Sequence, residues 1–368
     1  MRIDEFQITV AEPVLADLRA RLRNTRWSDA VTDDWAYGMR KDLLLELVSY
    51  WAESYDWQRS LAEINRLPHF RAIIDGVGVH FLHFKGRGSA PRALLLMNGW
   101  PSSFVEYRKL APLLAEDFDV VIPAAPGFGF SDRPLQPGDA LRAVELFFRL
   151  MTEGLGYSKF CAAGTDIGAG VATRLGLEHP GAVTAIHVTS VVNPPLDASS
   201  PPLSAEEIAY QESYNRWSRE EGAYSAIQST KPQTLAFALM DSPAGLASWI
   251  VEKFRGWSDC GGDVLSVFPM DALIDNLMIY WITNSIGSSV RYYYEATHLR
   301  PPFRVGDFVT VPTAVLMLPA DLLNAPRTWA ERFYNLRRYT KLAHGGHFPG
   351  WEIPELYAAD LREFFRVV

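Results

Sequence analysis

The pentapeptide Gly164-Thr165-Asp166-Ile167-Gly168 follows directly on the short apolar run KFCAAG (159–164) and leads into a stretch of helical character. Small residues two before and two after a central side chain are what a sharp strand-to-helix turn requires. The turn crowds its own backbone and lifts the central side chain above the sheet. That central residue is Asp166. A carboxylate so placed attacks an electrophilic carbon and forms an ester with the protein, which suits sp³ carbons of an oxirane or a carbon–halogen bond. Taken alone, the same Asp would also serve as a helix cap, so the surrounding constellation has to decide.

An ester intermediate needs a base to activate water. His347 lies in Ala343-His344-Gly345-Gly346-His347-Phe348, after the last apolar strand run and before the last amphipathic stretch. Histidine follows nucleophile and acid in this order when the base comes from the last strand–helix loop, and His347 fits that loop better than His344. The acid that orients the imidazole is expected from the loop after the preceding strand, where Pro319-Ala320-Asp321 follows TAVLML (313–318). Asp321 is the first choice and Glu331 the second. Two backbone N–H groups are needed for the oxyanion of hydrolysis. Ile167, next after the nucleophile, supplies one. Trp100 in Asn98-Gly99-Trp100-Pro101, just past ALLLM (93–97), supplies the other.

These groups must be held by a parallel sheet. Residues 69–192 alternate strand-like runs (FRAIID, VHFLHF, ALLLM, FDVVIPA, KFCAAG and VTAIHVTSV) with helical stretches at 104–115, 141–155 and 169–179. Apolar runs of this kind read as strands buried on both faces of a doubly wound, mostly parallel sheet. The rhythm breaks at the linker NPPLDASSPPLS, and 193–300 reads as an aromatic-rich helical cap. The sheet resumes over 301–368. Residues 1–68 read as an N-terminal helical meander, with Val14, Leu15, Leu18 and Leu22 on one helical face and no strand pattern before Phe70. The whole describes an α/β-hydrolase fold with an inserted cap over the carboxyl ends of the strands.

The composition narrows the partners. Thirty-five Lys and Arg against 43 Asp and Glu give a formal net charge of −8, which disfavours nucleic acid and anionic membrane surfaces. Two cysteines make no disulfide framework, and MRIDEFQITV lacks the basic and apolar blocks of a secretory signal, so a cytoplasmic protein is expected. No H-x-E or C-x-x-C pattern suggests a metal, and neither metal nor organic cofactor is expected. A homodimer is the base-rate expectation.

Taken together, the motifs resemble those of the microsomal-type epoxide hydrolases, across nearly the whole chain. The meander, NGWP (98–101), PGFGFS (126–131) and GTDIG each have a counterpart there. Two cap segments, 222–232 with 241–246 and SSVRYYYE (288–295), resemble those that carry the family's two tyrosines. The resemblance implies that Tyr224 and Tyr293 hydrogen-bond and protonate the oxirane oxygen, with Tyr292 and Tyr294 flanking the second. It implies a cis peptide before Pro101 and conversion of an epoxide and water to a vicinal diol. One departure is Asn98, where the family's motif begins with His. Trp100, Pro101, Phe237 and Trp281 are expected to line the substrate pocket, and the aromatic cap suggests a bulky or aryl epoxide such as a natural product carries. A haloalkane dehalogenase and a tailoring enzyme that opens an epoxide with another nucleophile are the rival readings. The absence of a G-x-S-x-G motif leaves an esterase weak.

Overall fold

The computed structural model describes residues 1–368. Nine strands form one sheet: β1 (Arg2–Glu5), β2 (His69–Ile74), β3 (Val77–Phe84), β4 (Arg92–Met97), β5 (Phe118–Pro123), β6 (Phe160–Gly164), β7 (Val183–Val188), β8 (Val309–Met317) and β9 (Tyr334–Lys341). Their order is β1-β2-β3-β5-β4-β6-β7-β8-β9. Pairings from β1 through β3 to β5 are antiparallel, and all others are parallel. The sheet is therefore mixed and mostly parallel, and β2–β3 is the expected hairpin. The N-terminal segment differs from expectation in contributing a strand. RIDE carries no apolar run because β1 is an outer strand with little to bury, and a four-residue edge partner leaves no pattern in the sequence.

Alternate residues of the central strands enter different cores. Leu94 and Leu96 join a cluster of 58 buried residues, while Leu95 and Met97 join one of 30. Successive side chains of a strand point to opposite faces, so each cluster occupies one side of the sheet. The larger one also takes in the N-terminal helices (Glu12–Arg23, Lys41–Glu53, Trp57–Ile64) and the cap. Leu15, Leu18 and Leu22 are buried there as expected. Val14 is not; it is 39 % exposed, because it sits about 100° around the helix from Leu15.

The cap comprises helices Ala205–Glu220, Ala223–Thr230, Pro232–Asp241, Pro243–Gly256, Met270–Thr283 and Ile286–His298. No single helix in the chain is long and apolar enough to cross a membrane. Polar contacts fix the cap to the rest of the molecule. The Tyr55 hydroxyl donates to Asp275 Oδ1 at 2.7 Å and Arg108 donates to Asp275 Oδ2 at 2.7 Å. Tyr50 donates to Asp271 at 2.7 Å. Asp275 is thus a buried carboxylate that joins the meander, the core and the cap. Removing one partner of such a pair leaves the others desolvated and unmatched. The Asp275→Ala protein is expected to lose about 3 kcal/mol of stability, the lower end of the range for broken buried pairs because Arg108 keeps some solvent contact. A fall in the urea midpoint would report it, and an unchanged midpoint would deny Asp275 this clamping role.

Candidate active site

Asp166 lies between β6 and the helix Ile167–Glu178 with φ 49° and ψ −120°, a backbone conformation rarely adopted by a residue with a side chain. Its neighbours explain how the turn is tolerated. A Cβ on Gly164 would fall 2.2 Å from the Gly168 carbonyl, and one on Gly168 would fall 2.3 Å from the Met97 oxygen. Both positions therefore require glycine. A Cβ on Gly99 would meet Asp166 Cβ and Oδ1 at 2.3 Å, so the 98–101 loop reaches the carboxylate only because that residue is bare. The next amide, Trp100 N–H, donates to Asp166 Oδ1 at 2.9 Å. Ile167 N–H is the first amide of the helix and has no intrahelical acceptor. The Trp100–Pro101 peptide is cis.

His347 closes the other side. Its Nδ1–H donates to Asp321 Oδ1 at 2.6 Å, and its Nε2, which bonds no protein atom, stands 3.6 Å from Asp166 Oδ2. Ala320 bridges to Gly346, which brings the loops after β8 and β9 side by side. Burial alone would push the imidazole down, but the carboxylates of Asp321 and Asp166 outweigh it and hold His347 well above the ordinary histidine range. The alternatives lie elsewhere. The His344 side chain is 78 % exposed, and Glu331 pairs with Arg327 on the surface.

Two cap phenols stand over the loop of Trp100. The Tyr224 ring stacks on Trp100 with centroids 5.5 Å apart, and the Tyr293 ring meets Trp100 edge-on at 5.9 Å and Tyr224 at 6.0 Å. Burial, followed for Tyr293 by the neighbouring Tyr224 and for both by Asp166, pushes the two hydroxyls far above the usual tyrosine range, so both keep their protons. The flanking tyrosines are occupied differently. Arg300 bonds the Tyr292 hydroxyl, and the Tyr294 ring stacks on His298 at the surface.

Two expected pocket residues are corrected. Phe237 is 71 % exposed on the outer face of helix 232–241. Trp281 is buried, yet the residues of its helix that line the cavity at the Ile167 turn are Ile279 and Tyr280, the latter donating its hydroxyl to the Ser102 carbonyl at 2.9 Å. A shift of one residue turns a helical side chain by about 100°, and aromatic content does not disclose which of two neighbours faces inward. That cavity is bounded by Asn98, Phe104, Phe128, Phe147, Ile167 and Tyr280 among others. Asn98 Nδ2 donates to the Gly99 carbonyl at 3.0 Å, so the residue in place of the family's His braces its own loop. Pro101 is buried, and its carbonyl accepts from Asn276 Nδ2 at 2.8 Å.

The sequence did not single out the segment that joins the cap to the histidine. His347 N–H donates to the Trp257 carbonyl at 2.7 Å, and Gly345 N–H donates to Asp259 Oδ2 at 2.9 Å. Asp259 N–H and Phe348 N–H both donate to Glu352, each at 2.8 Å. The Trp257 ring lies edge-on to His347 at 5.1 Å and beside Tyr224 at 4.9 Å, touching imidazole and phenol together. Two carboxyls, the first part-buried and the second fully buried, flank the loop, and desolvation raises each to about 7. Glu352 is one. The other is Glu106, which accepts from Ser102 at 2.6 Å and from Gly350 N–H at 3.3 Å. Only an acid close in sequence to NGWP hinted at Glu106. Glu352 carried no signal, because its partners come from the cap.

Comparison with known proteins places this arrangement. Residues 3–107 match the family described as the epoxide hydrolase N terminus, and 92–241 match the alpha/beta hydrolase fold. A Stigmatella aurantiaca relative, whose name places it among the epoxide hydrolases, is 39 % identical over 99 % of this chain and 85 % of its own. Epoxide hydrolase 1 of Sus scrofa is 31 % identical over 98 % and 88 %. The crystal structure of juvenile hormone epoxide hydrolase from Bombyx mori superposes with a TM-score of 0.89 at 29 % identity, covering 100 % of this chain and 94 % of that one.

The interlock is tight at Gly346, where a Cβ would meet the Trp257 oxygen at 2.6 Å and Ser258 Cα at 2.8 Å, both backbone atoms. Gly346→Ala is expected to retain its circular dichroism spectrum while turnover falls on the order of a hundredfold, the scale of an ångström-sized displacement of a reacting group. Wild-type turnover in that variant would show that the loop and cap can separate without consequence.

Proposed function

Because the chain belongs to the microsomal-type epoxide hydrolases, enzymes acting on ether bonds, we propose that Asp166 opens the epoxide as an ester-forming nucleophile and that His347 then directs water onto the ester. The observation that carries this reading is the convergence on Asp166 of His347 Nε2 at 3.6 Å and Trp100 N–H at 2.9 Å, with two phenols packed against Trp100 of the same loop, one stacked and one edge-on. In the first step an Asp166 oxygen bonds one oxirane carbon. The ring C–O bond breaks towards oxygen, which takes a proton from Tyr224 or Tyr293. In the second, His347 takes a proton from water, the hydroxide adds to the ester carbonyl while Trp100 and Ile167 N–H groups hold the oxyanion, and collapse breaks the ester bond to the diol oxygen, which takes the carboxyl proton as the Asp166 carboxylate is restored. Removing one such donor typically costs about 2.7–4 kcal/mol of transition-state stabilisation.

Charge coordinates the two steps. While Asp166 is ionised it helps keep His347 protonated. Esterification removes that negative charge, so the imidazole pKa falls, its proton passes to the phenolate left by ring opening, and the neutral ring is then a base when water must be activated. The finer substrate reading is an apolar epoxide with an aryl or otherwise bulky substituent, such as a natural product carries. It is supported by the apolar cavity at Phe104, Phe128, Phe147 and Ile167.

Exposure of His347→Ala to styrene oxide is expected to trap a stoichiometric adduct, seen by mass spectrometry on the peptide holding Asp166, and Asp166→Asn to trap none. An adduct elsewhere would displace Asp166 from this role. Halide release from a haloalkane without diol formation from epoxides would favour dehalogenation. In a titration of the His347 ring protons by NMR, Asp166→Asn should lower the pKa, since it removes one of the two carboxylates that raise it. A pKa equal to that of the native enzyme would refute the charge coupling.

A further inference from the structure

Lys253 is a cationic side chain held where cations are rare. It lies on the cap helix Pro243–Gly256 and is 7 % exposed. Its Nζ stands over the Tyr224 ring, 5.1 Å from the centroid, and 5.8 Å from the centroid of Trp257. Its ion-pair partner is the neighbouring Glu252 at 2.5 Å, whose side chain keeps 24 % of its exposure. Nothing in the two chemical steps above calls for this ammonium, and no ion pair joins it to the sheet domain. Its place is above the ring of a phenol that has to donate a proton.

We propose that Lys253 is a positioning residue for the acid: its charge stabilises the negative charge that gathers on Tyr224 as the oxirane opens. The inference rests on the assignment of Asp166 as nucleophile and the phenols as acids. In the opening step the Asp166 lone pair forms the new C–O bond. The electron pair of the broken ring bond goes to the oxirane oxygen, and the proton on that oxygen comes from the Tyr224 hydroxyl. The phenol is left with negative charge until the proton given up by His347 restores it; the proton that His347 then takes from water replaces the one it lost. That charge is unwelcome where it forms. Burial and the Asp166 carboxylate oppose it, Tyr214 and Asp321 add to the opposition, and the neighbouring Tyr293 hydroxyl eases it in part. A cation over the ring acts against this opposition and favours the anionic form more than the neutral one, because it attracts a full charge rather than a quadrupole. Glu252 offsets part of this field, but water screens it on its exposed side.

Lys253 thereby affects alkylation and not hydrolysis. A residue that merely packs the cap against Trp257 would disturb both steps, since Trp257 also touches His347. Rapid acid quench and mass spectrometry of the Asp166 peptide in a single turnover separate the rise of the styrene oxide ester from its decay. Lys253→Met is expected to slow the rise about three- to thirtyfold, the range of a desolvated cation over an aromatic face. It should leave the decay at the native rate, and Lys253→Arg should recover most of the loss. An unaltered rise, an equal slowing of both phases, or failure of Arg to recover overturns the proposal. Glu252→Gln provides a second reading if Lys253→Met does not fold. It strengthens the net positive field at Tyr224 and should speed the rise, whereas an unchanged or slower rise counts against Lys253. If no ester forms on Asp166 in the native enzyme, the nucleophile assignment fails instead, and the two failures are told apart within one experiment.

Discussion

The site is built around one strained residue. Asp166 holds a left-handed backbone that only the surrounding glycines make tolerable, and every other functional group is placed relative to it. Gly164 and Gly168 let β6 and the following helix pack against the end of β4. Gly99 lets the next loop pass against the Asp166 side chain and present Trp100 N–H. Strain of this kind persists only where packing over-determines it. Here the packing is the central strands, buried on both faces by two separate apolar cores.

A second organising feature is the shared border between cap and histidine loop. The backbone of 257–259 bonds the backbone and side chains of 345–352 in both directions, and Trp257 touches His347 and Tyr224 at once. The groups assigned to the two chemical steps are therefore parts of one rigid arrangement. The meander contributes from a distance. Through Tyr50 and Tyr55 it grips helix 270–283, the helix that also places Tyr280 and Asn276 against the 98–102 loop. An N-terminal segment with no side chain among the proposed reacting groups thus bears on their geometry.

Much of this was legible in the chain because the relevant constraints are local. A turn that admits only small residues on either side of one carboxylate leaves the pattern GTDIG. Strands covered on both faces leave apolar runs, and a helical insertion interrupts their rhythm. The order of Asp166, Asp321 and His347 reflects which strand ends lie next to each other in such a sheet. The errors share a cause as well. Val14, Phe237 and Trp281 were placed by residue type and approximate period, whereas burial depends on the rotation of a helix against its neighbours. The edge strand Arg2–Glu5 was missed because it exists through its partner, His69–Ile74, rather than through its own composition.

The sequence by itself determined the sheet, the insertion, the elbow and the candidates for the reacting groups, since these depend on steric rules spanning a few residues. Only the tertiary structure decided that Tyr293 and not Tyr292 or Tyr294 faces Trp100, that Ile279 and Tyr280 and not Trp281 line the cavity, and that Lys253, Trp257 and Glu352 surround Tyr224 and His347. Those facts arise where segments a hundred or more residues apart come within a few ångströms. There, distance and orientation set the energies, and neither is written in the order of the residues.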